Sequence, residues 1–244
     1  MIEAIQKANL TNSTEVLEIV KLAYKNKERV EICYLNFHHL INPKWTATLK
    51  PIFLDKKYIL ADGVGITFSK KILTENHISK IIEPVTDIYY SILKYAEINK
   101  FNVFFLGGNE ELIHKLSFTI HNKFPELINL NFEHGYLKYD DRDVLDKINN
   151  SSSDILFIGM GVPVQEEWLS QNESKLNVPI IITCGGFLKF LSDETPRAPF
   201  WIRNIGFEWL HRMIFDFRHL WKRYFFGIPK FLFLIAKCYF RKKN

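Results

Sequence analysis

The stretch Asp154-Ile155-Leu156-Phe157-Ile158-Gly159-Met160-Gly161 decides the fold class of this 244-residue chain. Its short continuous apolar run is stopped by glycines, which predicts a buried parallel strand that ends in a turn. The residues that follow, 165–176, have helical periodicity. A strand, a glycine turn and a helix in this order are typical of an α/β fold, in which ligand sites lie at the carboxyl ends of the strands.

The same alternation extends along the chain in both directions. Strands are predicted at 29–36, 57–61, 101–106, 127–132, 154–158 and 178–183, and helices at 14–28, 88–99, 110–123, 140–149 and 165–176. Glycine pairs follow two of these strands, Gly107-Gly108 after 101–106 and Gly185-Gly186 after 178–183. We therefore expect a Rossmann-like, mainly parallel sheet flanked by helices over residues 1–195.

The C-terminal part of the chain has a different composition. From residue 197 onward it holds eleven Lys and Arg but only two acidic residues, Glu208 and Asp216, together with many aromatic residues. We therefore interpret residues 196–244 as a basic aromatic helical appendage to the α/β domain. Such a segment favours an anionic partner, and composition alone leaves open a phospholipid surface, a diphosphate or a nucleic acid.

Four cations of this appendage, Arg212, Arg218, Lys222 and Arg223, recur at near-helical spacing beside aromatic residues. The pattern is typical of a basic amphipathic helix that lies on an anionic membrane surface. Alternatively, the cations neutralise a diphosphate, or the helix packs its aromatic side chains on the domain with its charges in solvent. We expect no nucleic acid partner, because no recognisable nucleic-acid-binding module is present.

Composition argues against several classes of protein. Hydrophobic residues make up 47% and charged residues 24% of the chain, which favours neither a disordered chain nor a polytopic membrane protein. The cysteines Cys33, Cys184 and Cys238 show no metal or redox spacing, which indicates a reducing cytoplasm. No signal peptide is expected, and the apolar run 231–236 is far shorter than the ~20 residues of a spanning helix.

Asp62 is the candidate catalytic residue. It follows the predicted strand 57–61 and precedes Gly63, so its carboxylate is expected at the carboxyl edge of the sheet, where the turn lets a ligand approach. A carboxylate at this place can act as a general base that deprotonates a hydroxyl. The alternative is an aspartate that caps the following turn or helix through its side chain.

A second candidate site is an anion-binding turn. Gly159 and Gly161 permit close approach, and the helix that opens after Pro163 directs backbone N–H groups and its dipole toward a phosphate. Gln165 could bond a sugar or uracil and Glu166 a ribose, whereas the alternative is a helix start with ordinary first-turn acids. The turn has neither the third glycine of a dinucleotide fingerprint nor the Lys-Ser/Thr of a P-loop.

Weaker candidates lie elsewhere in the chain. Gly107-Gly108 and Gly185-Gly186 each end an apolar run, and each is either an anion-binding turn or a tight strand-to-helix connection. Tyr136, which follows a glycine, belongs either to a ligand wall or to a turn. The eight histidines are scattered without zinc spacing, so we expect neither a metal nor a cofactor.

Taken together and in this order, these segments resemble the WecG/TagA/CpsF glycosyltransferase family over residues 36–224. The residues that carry the resemblance are Asn42, Ala61-Asp62-Gly63-Val64-Gly65, Phe105-Leu106-Gly107-Gly108, Gly135-Tyr136, Gly159-Met160-Gly161-Val162-Pro163-Val164-Gln165-Glu166, Arg197-Ala198-Pro199-x-Trp201 and Gly206-x-Glu208-Trp209-Leu210-x-Arg212. The last two motifs are the most specific.

The resemblance implies inverting, metal-independent transfer of a hexose-type sugar, usually of the N-acetylmannosamine type, from a UDP-sugar to a polyprenyl-diphosphate-linked saccharide. It implies a peripheral enzyme of cell-surface polysaccharide synthesis at the cytoplasmic face of the membrane. By matching motif, Asp62 resembles the proposed base, Gln165 a donor-contacting residue, and the Arg-rich tail a membrane-docking appendage that completes the site. The expected substrate-binding residues are Asn42, Gly63, Gly107, Gly108, Tyr136, Gly159, Gly161, Pro163, Gln165, Glu166, Arg197, Arg212, Arg218, Lys222 and Arg223. A second copy of the chain is a further candidate partner.

The chain departs from the family pattern at several places. Where the family has Thr-x-Asn, this chain has Leu40-Ile41-Asn42, which lacks the hydroxyl. The segment 188–193 before the Arg-Ala-Pro motif also differs, and His219 stands in the tail where an Arg is expected. Two functions from other classes stay open. A nucleotide-dependent oxidoreductase would need a fuller glycine fingerprint and an acidic ribose ligand about 20 residues later, and a non-catalytic membrane-binding protein would use its glycine turns only as architecture.

Overall fold

The computed structural model describes residues 1–74, 83–136 and 142–243, without the side chains of His219 and Lys243. Its strands form one six-stranded parallel sheet. They are Val30–Leu35 (β1), Tyr58–Ala61 (β2), Val103–Gly107 (β3), Leu130–Glu133 (β4), Ile155–Gly159 (β5) and Ile180–Thr183 (β6). The order of the strands in the sheet is β2-β1-β6-β5-β3-β4.

Helices flank the sheet and make up the C-terminal part of the chain. They are Ile2–Lys7 (α1), Ser13–Asn26 (α2), Phe37–Ile41 (α3), Lys50–Asp55 (α4), Gly63–Leu73 (α5), Val85–Ile98 (α6), Glu110–Lys123 (α7), Arg142–Asn150 (α8), Val164–Asn172 (α9), Phe187–Leu191 (α10), Phe200–Asn204 (α11), Glu208–Phe215 (α12), Phe217–Phe225 (α13) and Gly227–Lys243 (α14). A π-helical turn, Trp45–Leu49, and a 3₁₀ turn, Glu173–Lys175, are also present. Within the described residues, no helix combines the length and the apolar character that crossing a membrane requires.

Buried apolar side chains hold the central strands together. All residues of β3 and all but the last residue of β5 are buried. Phe105 of β3 stacks against Phe132 of β4 and Phe157 of β5, with ring centroids 5.6 Å and 5.4 Å apart. Strands that are covered on both faces are apolar at every position, and this is why the sequence shows continuous runs here instead of alternation.

The strand order reverses at the boundary between β3 and β5. Strand β4 pairs with one edge of β3, whereas β5, the next strand in the chain, pairs with the other edge. In this register Gly107 at the end of β3 lies opposite Gly159 at the end of β5. Open α/β sheets bind ligands at the carboxyl ends of strands where the order reverses. The two glycine turns therefore lie where the topology favours a ligand site.

The predicted α/β fold with a parallel sheet is confirmed. Each predicted strand overlaps an observed one, and the helix predicted at 110–123 has those bounds in α7. The helix predicted at 165–176 is shorter, because α9 ends at Asn172 and a 3₁₀ turn follows. Residues 140 and 141 of the helix predicted at 140–149 lie outside the described residues. The sequence does not predict α3 and α4, since helices of five and six residues are too short to show a 3.6-residue period.

The chain divides into two compact units. Unit 1 comprises Met1–Asn12, Tyr34–Val85 and Thr195–Asn244, and unit 2 comprises Ser13–Cys33 and Thr86–Glu194. The basic C-terminal segment therefore belongs to the same compact unit as Asp62, although more than a hundred residues of sequence separate them.

The last helix, α14, packs on α3 and α5 within unit 1. Phe231 of α14 lies against Phe37 of α3, with ring centroids 5.8 Å apart. A Cβ on Gly65 of α5 would lie 3.4 Å from the Phe231 ring, so the small residue allows the helices to approach closely. Lys230 Nζ also donates a hydrogen bond to the carbonyl oxygen of Ile41 at 2.9 Å. Apolar packing and a charged hydrogen bond therefore both tie the C-terminal segment to α3 and α5.

Candidate active site

Asp62 lies at the N-terminus of α5, directly after β2. Its backbone N–H donates to the carbonyl oxygen of Leu35 at 2.9 Å, which extends the pairing of β2 with β1. Its side chain makes no capping hydrogen bond to α5. Gly63 follows with a φ of +77°, a left-handed conformation that glycine adopts without steric cost. The Asp62 carboxylate is therefore not used as a helix cap.

Asn36 contacts the Asp62 carboxylate directly. Asn36 Nδ2 donates a hydrogen bond to Asp62 Oδ2 at 3.0 Å. Asn36 is itself the N-cap of α3, and its Oδ1 accepts from the backbone N–H groups of His38 at 3.0 Å and His39 at 3.4 Å. In return, the backbone N–H of Asn36 donates to His39 Nδ1 at 3.1 Å, which closes a capping box. The helix start at α3 therefore holds a polar side chain against Asp62.

Two opposing effects act on the protonation of Asp62. Burial raises its pKa above the usual value, because the charged form loses hydration. The hydrogen bond from Asn36 and the electrostatic interactions with Arg223, His39 and Arg212 lower it, but the effect of burial is larger. A carboxylate with a raised pKa is a stronger base, which is what the removal of a proton from a sugar hydroxyl requires.

Arg223 of α13 is the cation with the largest effect on Asp62. Its guanidinium lies over the Phe37 ring at 5.6 Å and over the Tyr224 ring at 5.7 Å. Its buried Nε has no hydrogen-bond partner among the described residues. Burial and the charge of Arg223 lower the pKa of His38 to about 3, so His38 is neutral at physiological pH. The positive charge of Arg223 is therefore held in a half-buried aromatic setting beside a neutral imidazole.

The other predicted cations occupy different environments in unit 1. Arg212 of α12 is half-buried and acts electrostatically on Asp62. Arg218 and Lys222 of α13 are exposed, and Lys222 Nζ lies over the Trp221 ring at 5.6 Å. Arg197 is half-buried in the segment before α11. The charges of Arg212 and Arg223 thus lower the pKa of Asp62, whereas Arg218 and Lys222 are not among the groups that act on it.

In unit 2 the predicted glycine turns converge. A Cβ on Gly107 would lie 2.5 Å from the carbonyl carbon and oxygen of Gly159. A Cβ on Gly159 would lie 2.7 Å from Leu188 Cδ1 and 2.9 Å from the carbonyl oxygen of Gly185. Gly135 also packs against this backbone, since a Cβ on Gly135 would lie 2.8 Å from Gly107 Cα. No side chain larger than hydrogen fits at these positions, so the edge of unit 2 at β3 and β5 is lined by backbone.

Gln165 and Glu166 are buried within unit 2 at the start of α9, 0% and 1% exposed. Gln165 Nε2 donates to Glu166 Oε1 at 2.6 Å, and Gln165 Oε1 accepts from the backbone N–H of Gly185 at 3.0 Å. Both polar ends of the Gln165 side chain are thus engaged with other residues of unit 2. In this arrangement the carboxamide joins the start of α9 to the turn that follows β6.

The remaining predicted residues of unit 2 line the same turns. Gly108 accepts a hydrogen bond from the backbone N–H of Gly135 at 2.8 Å. Tyr136, next in the chain, is 80% exposed. Gly161 has a φ of +81° with open space where a side chain would be, and Pro163 follows a cis peptide bond. These residues shape the backbone of the turns, while Tyr136 offers an exposed ring.

Asn42 lies at the C-terminal end of α3. Its Oδ1 accepts from the backbone N–H of Lys44 at 2.9 Å, which forms a local turn. The asparagine that bonds to Asp62 is Asn36, which is not among the predicted site residues. The sequence signal was the place of Asn36, because it is the last residue of the predicted strand 29–36, just as Asp62 comes directly after the predicted strand 57–61.

One Asp-x-Asp pair occurs in the sequence, Asp141-Arg142-Asp143, a spacing with which many sugar transferases hold a metal ion. Asp141 lies outside the described residues, and Asp143 is exposed in the first turn of α8. Within the part of the chain that the structure describes, no three His, Cys, Asp or Glu side chains are grouped so that they could hold a metal ion.

Comparison with known proteins identifies the family. The model of the glycosyl transferase WecG/TagA/CpsF family matches residues 4–244. The chain is also similar to N-acetylglucosaminyldiphosphoundecaprenol N-acetyl-β-D-mannosaminyltransferases of Staphylococcus aureus, among them those of strains NCTC 8325 / PS 47, COL and MRSA252. Each is 30% identical over 180 residues, which is 74% of this chain and 69% of the relative. Both the family model and these relatives therefore lead to one conclusion: the chain belongs to the WecG/TagA/CpsF glycosyltransferase family.

Proposed function

We propose that the protein transfers a hexose-type sugar from a UDP-sugar to a polyprenyl-diphosphate-linked saccharide, with inversion at the anomeric carbon and without a metal ion. The observation that carries the proposal is the half-buried carboxylate of Asp62, whose pKa is raised although Arg212 and Arg223 act on it. In a glycosyltransferase, a carboxylate of this kind is suited to the one proton transfer that the reaction needs.

In the proposed reaction the acceptor hydroxyl oxygen attacks the anomeric carbon of the donor from the face opposite the diphosphate. Asp62 takes the hydroxyl proton as the new C–O bond forms. The bond from the anomeric carbon to the diphosphate oxygen breaks, and its electron pair leaves with UDP. A single displacement of this kind inverts the anomeric carbon, and Asp62 afterwards releases its proton to solvent.

For the donor diphosphate we propose the backbone-lined edge of unit 2. Gly161 has open space where a side chain would be, Gly107 packs closely against the Gly159 backbone, and the dipole of α9 favours a negative charge at its N-terminus. Gly108 and Pro163 shape these turns, and Tyr136 offers a ring for stacking. Gln165 and Glu166 are buried, and this favours a role in holding the turn beside Gly185.

For the cations of unit 1 we propose that they bind the diphosphate groups of the substrates. Arg212 and Arg223 are half-buried, where a charge is less screened by water than on the surface. Arg197, Arg218 and Lys222 contribute less to diphosphate binding in this proposal. Asn42 and Gly63 shape the backbone near the proposed acceptor site.

The names of the relatives support a more specific substrate pair. They are mannosaminyltransferases that act on N-acetylglucosaminyldiphosphoundecaprenol. For this chain we propose an N-acetylhexosamine donor of the same class and a polyprenyl-diphosphate-linked amino sugar as acceptor. Neither an oxidoreductase nor a non-catalytic membrane protein is proposed, because the family is one of glycosyl transferases.

The test is an assay of the purified full chain with a panel of UDP-sugars and a short-chain polyprenyl-diphosphate-linked saccharide, with products detected by mass. We expect transfer of one sugar and release of one UDP, unchanged by a chelator such as EDTA. As a matched variant, Asp143→Asn, which removes one carboxylate of the Asp-x-Asp pair, should retain turnover. Loss of activity with the chelator and in Asp143→Asn together would contradict the metal-independent reaction.

We also propose that residues 197–244 bind an anionic membrane surface from the cytoplasmic face. Aromatic side chains there are more than 40% exposed at Phe200, Trp201, Phe207, Phe215, Phe217, Phe225, Phe226, Phe233 and Phe240. Cations of the same segment are exposed beside them, at Arg218 and Lys222. Exposed aromatic and cationic side chains in one segment fit a surface of anionic headgroups over an apolar layer.

A double substitution, Phe225→Ser with Phe226→Ser, should weaken binding to vesicles that contain anionic lipid by about tenfold or more, because two apolar side chains no longer enter the bilayer interface. The measurement is co-sedimentation with such vesicles. The matched control is Phe118→Ser, which removes a ring that is 66% exposed on α7 of unit 2. Equal loss of binding in the control and the double variant would contradict the assignment of the surface to the C-terminal segment.

A further inference from the structure

Asn36 is buried to 7% exposure, yet it lies in direct contact with the carboxylate that the proposed reaction uses. We propose that Asn36 is a positioning residue that holds Asp62 Oδ2, so that Asp62 Oδ1 is aimed at the proton of the acceptor hydroxyl. This inference rests on the proposed role of Asp62 as base.

The orientation of the Asn36 carboxamide follows from its neighbours. Its Oδ1 faces the backbone N–H groups of His38 and His39 at 3.0 Å and 3.4 Å. An amide turned by 180° would place its NH₂ group against these two donors and its oxygen against Asp62, so three hydrogen bonds would be lost, while the one bond it could gain is to His39 Nδ1, 2.9 Å from the same atom. The cap of α3 therefore determines that Nδ2, a donor, is the group that meets Asp62.

The remaining polar atoms around Asn36 make the arrangement rigid. The backbone N–H of Asn36 is bound by His39 Nδ1 at 3.1 Å, and His39 is 0% exposed. The His39 ring packs edge-on against Tyr34 and Phe53, with centroids 5.0 Å and 5.1 Å apart. Because each member of this set is fixed by packing or hydrogen bonds, Asp62 is held by a preorganised donor.

Among the described residues, Asn36 is the only side chain that hydrogen-bonds to the Asp62 carboxylate. The other groups that act on Asp62 do so through charge: His39 of α3, Arg212 of α12 and Arg223 of α13. The pKa of Tyr224 in α13 is raised by burial and, to a smaller extent, by the charge of Asp62. Arg212 and Arg223 favour the ionised base, but within the described part of the chain only Asn36 also fixes the direction in which the carboxylate points.

Two substitutions separate this role from the capping of α3. Asn36→Ser keeps a side-chain oxygen of an equally good N-cap residue but cannot reach Asp62 with a donor. Asn36→Asp keeps the shape and the cap but replaces the donor with a charged oxygen beside Asp62. Asn36→Ser should therefore fold with a thermal midpoint close to that of the wild-type protein, whereas Asn36→Asp should have a lower midpoint because two carboxylates then lie side by side at a buried position.

In Asn36→Ser we expect kcat to fall by about 10- to 100-fold, because a base that is no longer held in place loses its alignment. The KM for the donor should stay within about twofold, since the donor is not bound by Asn36. The acid limb of the kcat profile, the low-pH range in which the rate falls, should move to higher pH, because a hydrogen bond that favoured the carboxylate is lost. Asn36→Asp should move the limb further, through repulsion between the two carboxylates.

A double-variant cycle distinguishes positioning from general structure. In an Asp62→Asn background, Asn36→Ser should cause no further loss of turnover, because its effect passes through Asp62. A second, additive loss in that background would overturn the inference. The inference would also be overturned if Asn36→Ser had the kcat and the acid limb of the wild-type enzyme while Asp62→Asn was inactive. If instead Asp62→Asn retains turnover, the proposed base itself is wrong, so the two failures give different results.

Discussion

Replacing Asp62 by Asn is expected to lower turnover by about 10²- to 10⁴-fold, the usual contribution of general-base catalysis. The amide keeps the size of the side chain but cannot take a proton from the acceptor hydroxyl. Binding of the UDP-sugar, measured by calorimetry on the full chain, should stay within a few-fold of wild type, because the proposed donor contacts lie in unit 2.

The matched control for this substitution is Asp55→Asn, which changes an exposed carboxylate at the end of α4 in the same unit. It should retain the wild-type rate. Wild-type turnover in Asp62→Asn would rule out Asp62 as the base, and equal losses in both variants would point to a general effect of charge on unit 1.

The pH dependence gives the same prediction an independent readout. A base must be deprotonated to act, and burial raises the pKa of Asp62. The rate of the wild-type enzyme should therefore fall as the pH drops through this raised pKa, at a higher pH than for an ordinary aspartate. An acid limb at or below the usual range of aspartate would contradict the environment that the structure assigns to Asp62.

The second large effect is expected at Arg223. Arg223→Ala should lower kcat/KM by about 10²- to 10³-fold, as is typical when a preorganised donor to a developing negative charge is removed. The guanidinium is half-buried, where its charge is less screened by water than on the surface, and we propose that it faces a phosphate group of the substrate. Its loss also removes a charge that favours the ionised form of Asp62, so the acid limb should move to higher pH.

Two variants on the same helix make this prediction sharper. Arg218→Ala removes an exposed guanidinium of α13 and should cost less than about tenfold, because surface charges are screened. Arg223→Lys keeps the charge but loses the planar donor geometry, so its rate should lie between those of wild type and Arg223→Ala. Equal and small effects of Arg218→Ala and Arg223→Ala would contradict a special role for Arg223.

Parts of the site that depend on local sequence were predictable, and parts that depend on distant residues were not. Asp62, Gly107 and Gly159 each follow an apolar run, and the end of a strand can be recognised from its own residues and the glycine after it. The electrostatic interaction of Arg223 with Asp62 joins residues 161 positions apart, and no local pattern indicates it. Asn36 was missed for a similar reason, because its cap and its contact with Asp62 appear only once α3 is present.

The role of a residue was harder to predict than its position. Gln165 was correctly placed at the start of a helix after a glycine turn, but its burial and its bond to Gly185 depend on packing between α9 and the end of β6. A polar side chain at a helix start can face solvent, a ligand or the protein interior, and the sequence is the same in each case.

By itself the sequence determined the parallel α/β fold, the glycine turns and the basic aromatic character of residues 196–244, because these depend on apolar runs, glycine positions and composition. The tertiary structure decided which side chains meet: Asn36 with Asp62, and Arg212 and Arg223 within electrostatic reach of the same carboxylate. The physical reason is that strand ends and helix starts are local properties, whereas burial and charge at a site arise from segments brought together only by folding.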